Sequence, residues 1–386
     1  MEIDFSINHS PKALVKNKYV HFFACLLIGL ILTKTYLMLP ALLVPMLLCL
    51  IIILLIFLKP FIYPKYIVIG YFILAILILV FELILMRNAD LDYTLIPAFV
   101  VILAIHLFIY NGRTFYIKEV LRISALLFIF QILLSSFNIH TIRAVPLSSE
   151  ELILYESLEP LPRFIWNFLG KSMFFLNSNE VGYICSIFTI LFFFKDSPLY
   201  NKFFGFLCLF IVLLSLSRAA FIVLIFLLFI FFPRKKLMQV ILIILFILIT
   251  LVLFYNPLYD LIINQFSGEE SNNERLMLAI KGLYHINESP FLSSYYEYYK
   301  FNIIGPHNEF IQSMLRGGMI FMCLQFLAIY LILDKSNISF LCILLISLFT
   351  HNLINTYGYM IATILLMYSL KPSQDSLYLD QMLKNN

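Results

Sequence analysis

The fold is decided by residues 219–255, which read AAFIVLIFLLFIFFP (219–233), RKK (234–236) and LMQVILIILFILITLVLFY (237–255). A helix that crosses a lipid bilayer needs about 20 mostly apolar residues. The second run, 237–255, comes close to that length, whereas the first, 219–233, is short; a basic cluster separates them. This stretch therefore predicts two membrane-spanning helices joined by a short basic loop.

The rest of the chain has the same character. Of its 386 residues, 62% are hydrophobic and only 12% are charged. A soluble domain is about half apolar and about a quarter charged, so this chain has too few charges to cover a surface that faces water. The composition excludes a soluble enzyme, a disordered chain and a nucleic-acid-binding protein, and it predicts an all-α polytopic membrane protein.

Apolar runs recur along the whole chain and predict a single integral membrane domain, 1–386, with about twelve transmembrane helices. The runs lie at roughly 19–38, 39–58, 66–86, 94–110, 120–137, 180–194, 203–217, 219–233, 237–255, 309–333, 337–350 and 356–370. Because 203–217 and 219–233 meet at Arg218, either a tight turn or one broken helix fits that point.

The basic residues predict the orientation, because Lys and Arg collect in cytoplasmic loops. The 234–236 cluster and the lysines near the N-terminus fall on one side of the predicted helices. Both termini are therefore predicted to be cytoplasmic. Two long periplasmic loops follow from this orientation, at 138–179 and 256–308. The second contains an amphipathic segment, 276–286, and a tyrosine-rich run, 295–299, so we expect it to be ordered, partly helical and close to the membrane.

Four ionisable residues near the outer face are candidates for function, because charges at membrane depth are costly and usually have a role. They are Arg218, Arg275, His307 and Arg316. Arginine stays charged and its planar fork suits phosphate oxygens, so two or three arginines suit an anionic lipid head group such as a diphosphate. Histidine titrates near neutral pH, which makes His307 the natural proton acceptor.

Each candidate also has a plain structural interpretation. An interfacial arginine can extend to lipid head groups without any further role, and Arg275 can be a solvated helix residue. His307 can cap the next helix, because Pro306-His-Asn-Glu is typical of a helix N-terminus. The pair His351-Asn352 repeats His307-Asn308 at another outer helix end and competes with it. The tyrosine-rich run suits either sugar recognition or interfacial anchoring.

Other polar residues inside the apolar runs have structural interpretations. Four of them are expected to form hydrogen bonds between helices: Glu82, His106, Gln131 and Gln325. All six cysteines lie inside apolar runs and none has CxxC spacing, so neither a disulfide framework nor a zinc site is expected. No carboxylate cluster with metal-ligand spacing accompanies His307. We therefore expect no metal and no cofactor.

Four motifs occur in an order that is more specific than any one of them. They are Asn177-Ser-Asn179-Glu-Val-Gly182; Leu214-Ser-Leu-Ser-Arg218-Ala-Ala; Arg275 followed by Ser289-Pro290-Phe291 in the long loop; and His307-Asn308 with Gly318 eleven residues after the histidine. Over roughly 175–325, this order resembles the O-antigen ligase and O-antigen polymerase superfamily of bacterial inner-membrane glycosyltransferases.

The resemblance implies transfer of a glycan from undecaprenyl diphosphate to an acceptor sugar at the periplasmic face, without a nucleotide sugar or a metal. It implies that Arg218 and Arg275 bind the diphosphate and that His307 orients or deprotonates the acceptor hydroxyl. The supporting residues would be Asn308, Arg316 and Asn179. The implied partners are the undecaprenyl-diphosphate-linked donor and acceptor, membrane lipids and a chain-length regulator in the inner membrane, with no nucleic acid.

The shared motifs do not separate a polymerase, which joins repeat units on the lipid diphosphate, from a ligase, which moves the finished glycan to lipid A–core. Leu292-Ser-Ser-Tyr-Tyr in the loop and Phe321 after Gly318 depart from the ligase pattern. These departures, and a composition rich in Phe, Tyr, Ile and Lys, favour a polymerase. A polysaccharide-lipid flippase is the alternative of another class, but it should place basic residues along a central cavity from both sides.

Overall fold

The computed structural model describes residues 18–33, 65–85, 95–111, 114–136, 178–194, 199–215, 217–232, 269–302, 305–350, 353 and 357–370. The regular structure in these ranges is α-helical, and none of them contains a strand. The helices are α1 (Lys18–Leu32), α2 (Lys65–Leu85), α3 (Leu95–Asn111), α4 (Thr114–Ser136), α5 (Ser178–Phe193), α6 (Lys202–Ser215), α7 (Arg218–Phe231), α8 (Glu269–Glu288), α9 (Tyr295–Tyr299), α10 (Glu309–Ile332), α11 (Asn337–Ser347) and α12 (Tyr357–Leu370). The all-α fold class is confirmed.

Membrane-spanning length is a stricter criterion than helicity. Among the described helices, α10 alone is both long and apolar enough to cross a bilayer. The other apolar segments, taken over the residues whose side chains the structure describes, are 10–17 residues long; in α2 this segment is Lys65–Phe81. The predicted number of about twelve spanning helices is therefore not supported by the described residues. The predicted runs at 39–58 and 237–255 lie outside those residues.

Helices α6 and α7 settle one alternative that the sequence left open. Helix α6 ends at Ser215 and α7 begins at Arg218, with Ser217 in an extended conformation as the N-cap of α7. An N-cap satisfies backbone N–H groups that the first turn of a helix leaves without partners. The two runs are therefore separate helices joined by a short connection, rather than one broken helix.

Four helices begin at the same end of the bundle, which we call the Glu309 end. Ser217, just before α7, hydrogen-bonds to Asn179 at the start of α5. Glu309, the first residue of α10, hydrogen-bonds to Leu353, just before α12. At the opposite end, where α5 and α7 finish, the rings of Phe194 and Phe231 lie 5.3 Å apart. Helices α5, α7, α10 and α12 therefore share one direction.

Two buried polar residues join helices, as the sequence predicted. The two ring nitrogens of His106 in α3 lie 2.6 Å from the Tyr71 hydroxyl of α2 and 2.7 Å from the Tyr368 hydroxyl of α12. Gln131 of α4 donates a 2.9 Å hydrogen bond to the carbonyl oxygen of Thr33, at the end of α1. A buried polar side chain needs such partners because losing its hydration is otherwise unfavourable.

Candidate functional site

The Asn179 motif and the Arg218 motif meet at the Glu309 end. The hydroxyl of Ser217 donates a 2.6 Å hydrogen bond to Oδ1 of Asn179 and accepts one of 3.2 Å from the backbone N–H of Ala220. A Cβ atom at Gly182 would clash with Ala220, so glycine allows α5 and α7 to approach closely here. Two residues that are 38 positions apart in sequence are thus in direct contact.

Arg218 occupies the first position of α7 and is half-buried. In the described part of the chain, no residue forms a hydrogen bond or an ion pair with its guanidinium. A helix N-terminus carries roughly half a positive charge, so a cation there is unfavourable unless an anion lies nearby. Helix N-termini are also recurrent phosphate-binding positions. The first turn of α7 therefore forms a cationic position that suits an anionic ligand.

Arg275 lies on α8, which is longer than the amphipathic segment expected from the sequence. The buried face of α8 contacts the start of α10: a Cβ atom at Gly282 would lie 2.7 Å from Cγ2 of Ile311 and 3.7 Å from Cβ of Pro306. Arg275 precedes Gly282 by two helical turns, about 10 Å along the axis, and lies on the same face. This register places half-buried Arg275 on the side of α8 that faces the segment before α10.

His307 lies in the bend immediately before α10. Its φ of 51° is in the left-handed region, which few non-glycine residues adopt and which the surrounding structure must enforce. The next residue, Asn308, caps the helix: its Oδ1 accepts hydrogen bonds of 3.0 Å from the N–H of Phe310 and 3.2 Å from that of Ile311. The predicted helix boundary is therefore confirmed, but the cap is Asn308 and not His307, which is half-buried and lies directly before it.

Glu309 is completely buried, with 0% of its surface exposed, and its carboxylate accepts four hydrogen bonds. Three reach Oε1, from Nη1 of Arg316 at 2.8 Å, Nε2 of Gln325 at 2.9 Å and Oγ of Ser313 at 3.3 Å. The fourth joins the backbone N–H of Leu353 to Oε2 at 3.0 Å. Gln325 was predicted to bond between helices, and it instead bonds within α10.

Arg316 is held inside the protein by this carboxylate. It is 3% exposed and its guanidinium also lies 5.6 Å from the ring centroid of Phe81. Burial raises the pKa of Tyr295 and of Tyr299, and the nearby Arg316 charge partly offsets the rise, so both remain neutral hydroxyls at physiological pH. The position of Arg316 is thus accounted for by an internal ion pair.

The long loop inserts into a break in α10. The N–H of Met319 donates a 2.8 Å hydrogen bond to the carbonyl oxygen of Pro290. The carbonyl oxygen of Leu315 accepts hydrogen bonds from the N–H of Ser294 at 3.0 Å and from Oγ of Ser293 at 3.2 Å. In an unbroken helix, Leu315 and Met319 would bond to each other, so the loop supplies partners for both groups.

Gly318 makes this break possible. Its φ of 75° and ψ of −175° belong to a region that is essentially restricted to glycine. A Cβ atom there would also collide with the backbone of Phe291. The Pro290-Phe291 motif and Gly318, recognised separately in the sequence, are therefore two halves of one contact.

The candidates form two groups at the Glu309 end. Asn179 and Arg218 belong to the α5–α7 group, and Arg275, His307 and Arg316 belong to the α8–α10 group. The segment before and at the start of α12 lies between them, since Leu353 bonds to Glu309 and Gly358 lies against the Glu180 carboxylate. The described contacts do not join Arg218 directly to Arg275 or to His307. The competing pair His351-Asn352 lies outside the described residues.

Glu309 and its hydrogen bonds were missed by the sequence analysis. The available signal was the spacing of seven residues between Glu309 and Arg316, which places two opposite charges on one helix face two turns apart. Glu180 was quoted only as part of a motif, although it is buried beside the start of α12. Two buried carboxylates therefore lie at this end of the bundle.

Within the described ranges, no group of three or more His, Cys, Asp or Glu side chains is arranged to hold a metal ion. The chain matches no protein-family model, no curated protein and no solved structure. The family resemblance therefore depends on the quoted motifs and stays a prediction.

Proposed function

We propose that the protein is a membrane-embedded glycosyltransferase that polymerises repeat units carried on undecaprenyl diphosphate, at the periplasmic face of a bacterial inner membrane. The observation that supports this most is the arrangement of polar residues. Asn179, Arg218, Arg275 and His307 come from four separate motifs, yet all lie towards the Glu309 end of a mainly apolar helical bundle.

A location in the membrane is supported by the surface of the bundle. Large apolar side chains are exposed on several helices, including Val68 and Phe72 on α2 and Ile222 and Phe229 on α7. Extended apolar surfaces of this kind are rare on soluble proteins and mark contact with lipid or a partner. We propose a multi-pass topology with about twelve spanning helices and both termini cytoplasmic, which makes the Glu309 end periplasmic.

The donor side of the reaction is assigned to arginine. Arg218 adds a fixed positive charge to the positive end of α7, and Arg275 adds a second on the loop helix α8. When the sugar leaves undecaprenyl diphosphate, negative charge builds up on the diphosphate oxygens. Preorganised positive groups at that position lower the barrier, and this is commonly the largest contribution to catalysis.

The acceptor side is assigned to His307. The hydroxyl oxygen of the acceptor sugar forms a bond to the anomeric carbon of the donor while the bond from that carbon to the diphosphate oxygen breaks. The hydroxyl proton passes to the imidazole, which is a general base suited to neutral pH. The Asn308 cap and the left-handed backbone of His307 fix the backbone position from which the His307 imidazole extends.

The proposal is tested in a deletion strain that carries the wild-type gene or a His307→Ala variant, with surface polysaccharide analysed by length. Loss of polymerase leaves single repeat units on the lipid A–core. Long chains that accumulate on the carrier lipid instead identify a ligase, and repeat units trapped in the cytoplasm identify a flippase. Lys202→Ala, an exposed residue at the opposite end of the bundle, is the control and should keep the wild-type length distribution. A wild-type distribution in the His307→Ala strain, at equal protein level, refutes the assigned role.

A further inference from the structure

Helix α8 is apolar on two opposite faces. One face packs against α10 and contains Leu278, Gly282 and Ile286. The other forms a stripe about 120° wide, from the 100° rotation per residue, and we call it the exposed stripe. Its residues are between 48% and 64% exposed: Leu276, Met277, Ile280, Leu283 and Tyr284. An ordinary surface helix turns its second face to water with polar residues, and between Leu276 and Tyr284 α8 does not.

The exposed stripe belongs to a larger apolar surface of the loop. Phe291, Leu292 and Phe301 are all strongly exposed. The Pro290–Met319 hydrogen bond holds this segment against α10 at the break. Beyond the break, Met319 and further apolar residues of α10 are exposed in turn. The loop surface therefore continues into the exposed side of the one described helix that has membrane-spanning length and composition.

The charged and hydroxyl-bearing residues at the edge of this apolar surface indicate what it contacts. Exposed Lys281 and Lys300 lie beside it together with exposed Glu288 and Glu297, and Tyr284 and Tyr296 carry hydroxyl groups at its margin. Apolar faces edged by lysine and tyrosine are typical of segments that sit at the boundary between acyl chains and head groups. Because the same surface runs on into the exposed side of α10, one lipid phase accounts for both parts.

We propose that the exposed stripe of α8, together with Phe291, Leu292 and Phe301, is inserted among the phospholipid acyl chains of the outer leaflet. The long loop then contacts water on its polar edge and lipid on its apolar one. This inference rests on the membrane topology given under the proposed function, but not on the chemistry of glycan transfer.

The single tryptophan of the chain, Trp166, makes a direct test simple. After Trp166→Phe, one tryptophan is introduced at a time into the full chain: Ile280→Trp at the centre of the exposed stripe, or Lys281→Trp one residue on and 100° around the helix. Phe72→Trp on α2, at a side chain that is 65% exposed, reports on the bundle itself. Each variant is reconstituted in phosphatidylcholine vesicles with or without brominated acyl chains, and iodide is added in the water phase.

Brominated lipid should quench most of the emission of the Ile280→Trp and Phe72→Trp proteins, and iodide should quench Lys281→Trp. Iodide quenching of Ile280→Trp equal to that of Lys281→Trp overturns the inference. Protection of Ile280→Trp from both quenchers also overturns it, because a second copy or another protein then covers the stripe. Failure of Phe72→Trp to respond to brominated lipid counts against membrane embedding and hence against the proposed function. If Ile280→Trp elutes as aggregate, Leu283→Trp on the same stripe replaces it.

Discussion

Replacing Arg316 by Met removes the cation from a buried ion pair and leaves the Glu309 carboxylate in place. The two side chains are 3% and 0% exposed, and their N···O distance is 2.8 Å. Breaking a buried pair by removing one partner destabilises a protein by about 3–5 kcal/mol, because the remaining charge is then uncompensated. Three other donors remain on Glu309, from Ser313, Gln325 and Leu353. We therefore expect a loss near 3 kcal/mol, at the lower limit of that range.

The double variant Glu309→Gln/Arg316→Met separates this pair from its surroundings. A glutamine keeps one acceptor oxygen for Gln325 or Leu353 and leaves no buried charge. The double variant should therefore be more stable than Arg316→Met alone. Residues that share one buried network typically show coupling energies of about 0.5–3 kcal/mol, and we expect a value in the upper half of that range.

The measurement is unfolding in mixed micelles with increasing denaturing detergent, followed by loss of helical circular dichroism. Ser347→Ala is the matched control, because that hydroxyl is also buried but bonds to the Ile343 carbonyl oxygen of its own helix at 2.7 Å. It should cost about 1 kcal/mol or less. Wild-type stability of Arg316→Met, or simple additivity of the two single substitutions, would show that the charges are not coupled in the folded protein.

Three further predictions test separate parts of the site. Gly318→Ala should destabilise the protein strongly, since the backbone strain alone is about 1–3 kcal/mol and Cβ meets the Phe291 backbone. Gly317→Ala should cost less, because a φ of −165° carries no left-handed strain, although its Cβ would displace Phe321, whose own Cβ lies 2.8 Å away. Asn308→Ala should lose about 0.5–2 kcal/mol of cap stabilisation and Asn308→Asp should retain it, both measured by the same unfolding assay. Arg218→Lys should retain little glycan transfer in the deletion strain, because an ammonium group lacks the two-pronged geometry; full activity would show that a generic positive charge is sufficient.

Local features were predictable from sequence because each is governed by neighbouring residues. The helical class follows from long apolar runs, and the start of α10 follows from Asn308, whose side chain satisfies backbone groups within three residues. Helix α8 was expected from its periodicity, although its first turns were not, since Glu269-Glu-Ser-Asn-Asn reads as a polar loop. That turn is helical in spite of its composition, as often happens where a longer helix is packed on one face.

Contacts between residues that are distant in sequence were not predictable, because the sequence around one residue does not indicate which distant residue it will contact. The 290–294 segment has no feature that indicates a backbone hydrogen bond to Leu315 or Met319, and Gly318 reads equally well as a helix-packing residue. The contact of Ser217 with Asn179 is of the same kind: both are small polar residues near helix starts, and many pairings would satisfy them. Such pairs are fixed by the packing of the helices that carry them.

The break in α10 explains why the loop and the histidine are part of one structure. If the loop detached, the Leu315 carbonyl and the Met319 N–H would lose their partners at a buried break, and each unsatisfied group costs about 1–3 kcal/mol. The buried Glu309 side chain also bridges this break. Gln325, on the C-terminal side of the break, donates a hydrogen bond to the Glu309 carboxylate on its N-terminal side. His307 lies two residues from that carboxylate and Arg275 lies on the helix that precedes the inserted segment. Loop docking therefore sets the position of Arg275 relative to His307, and a substitution that frees the loop should disturb both at once.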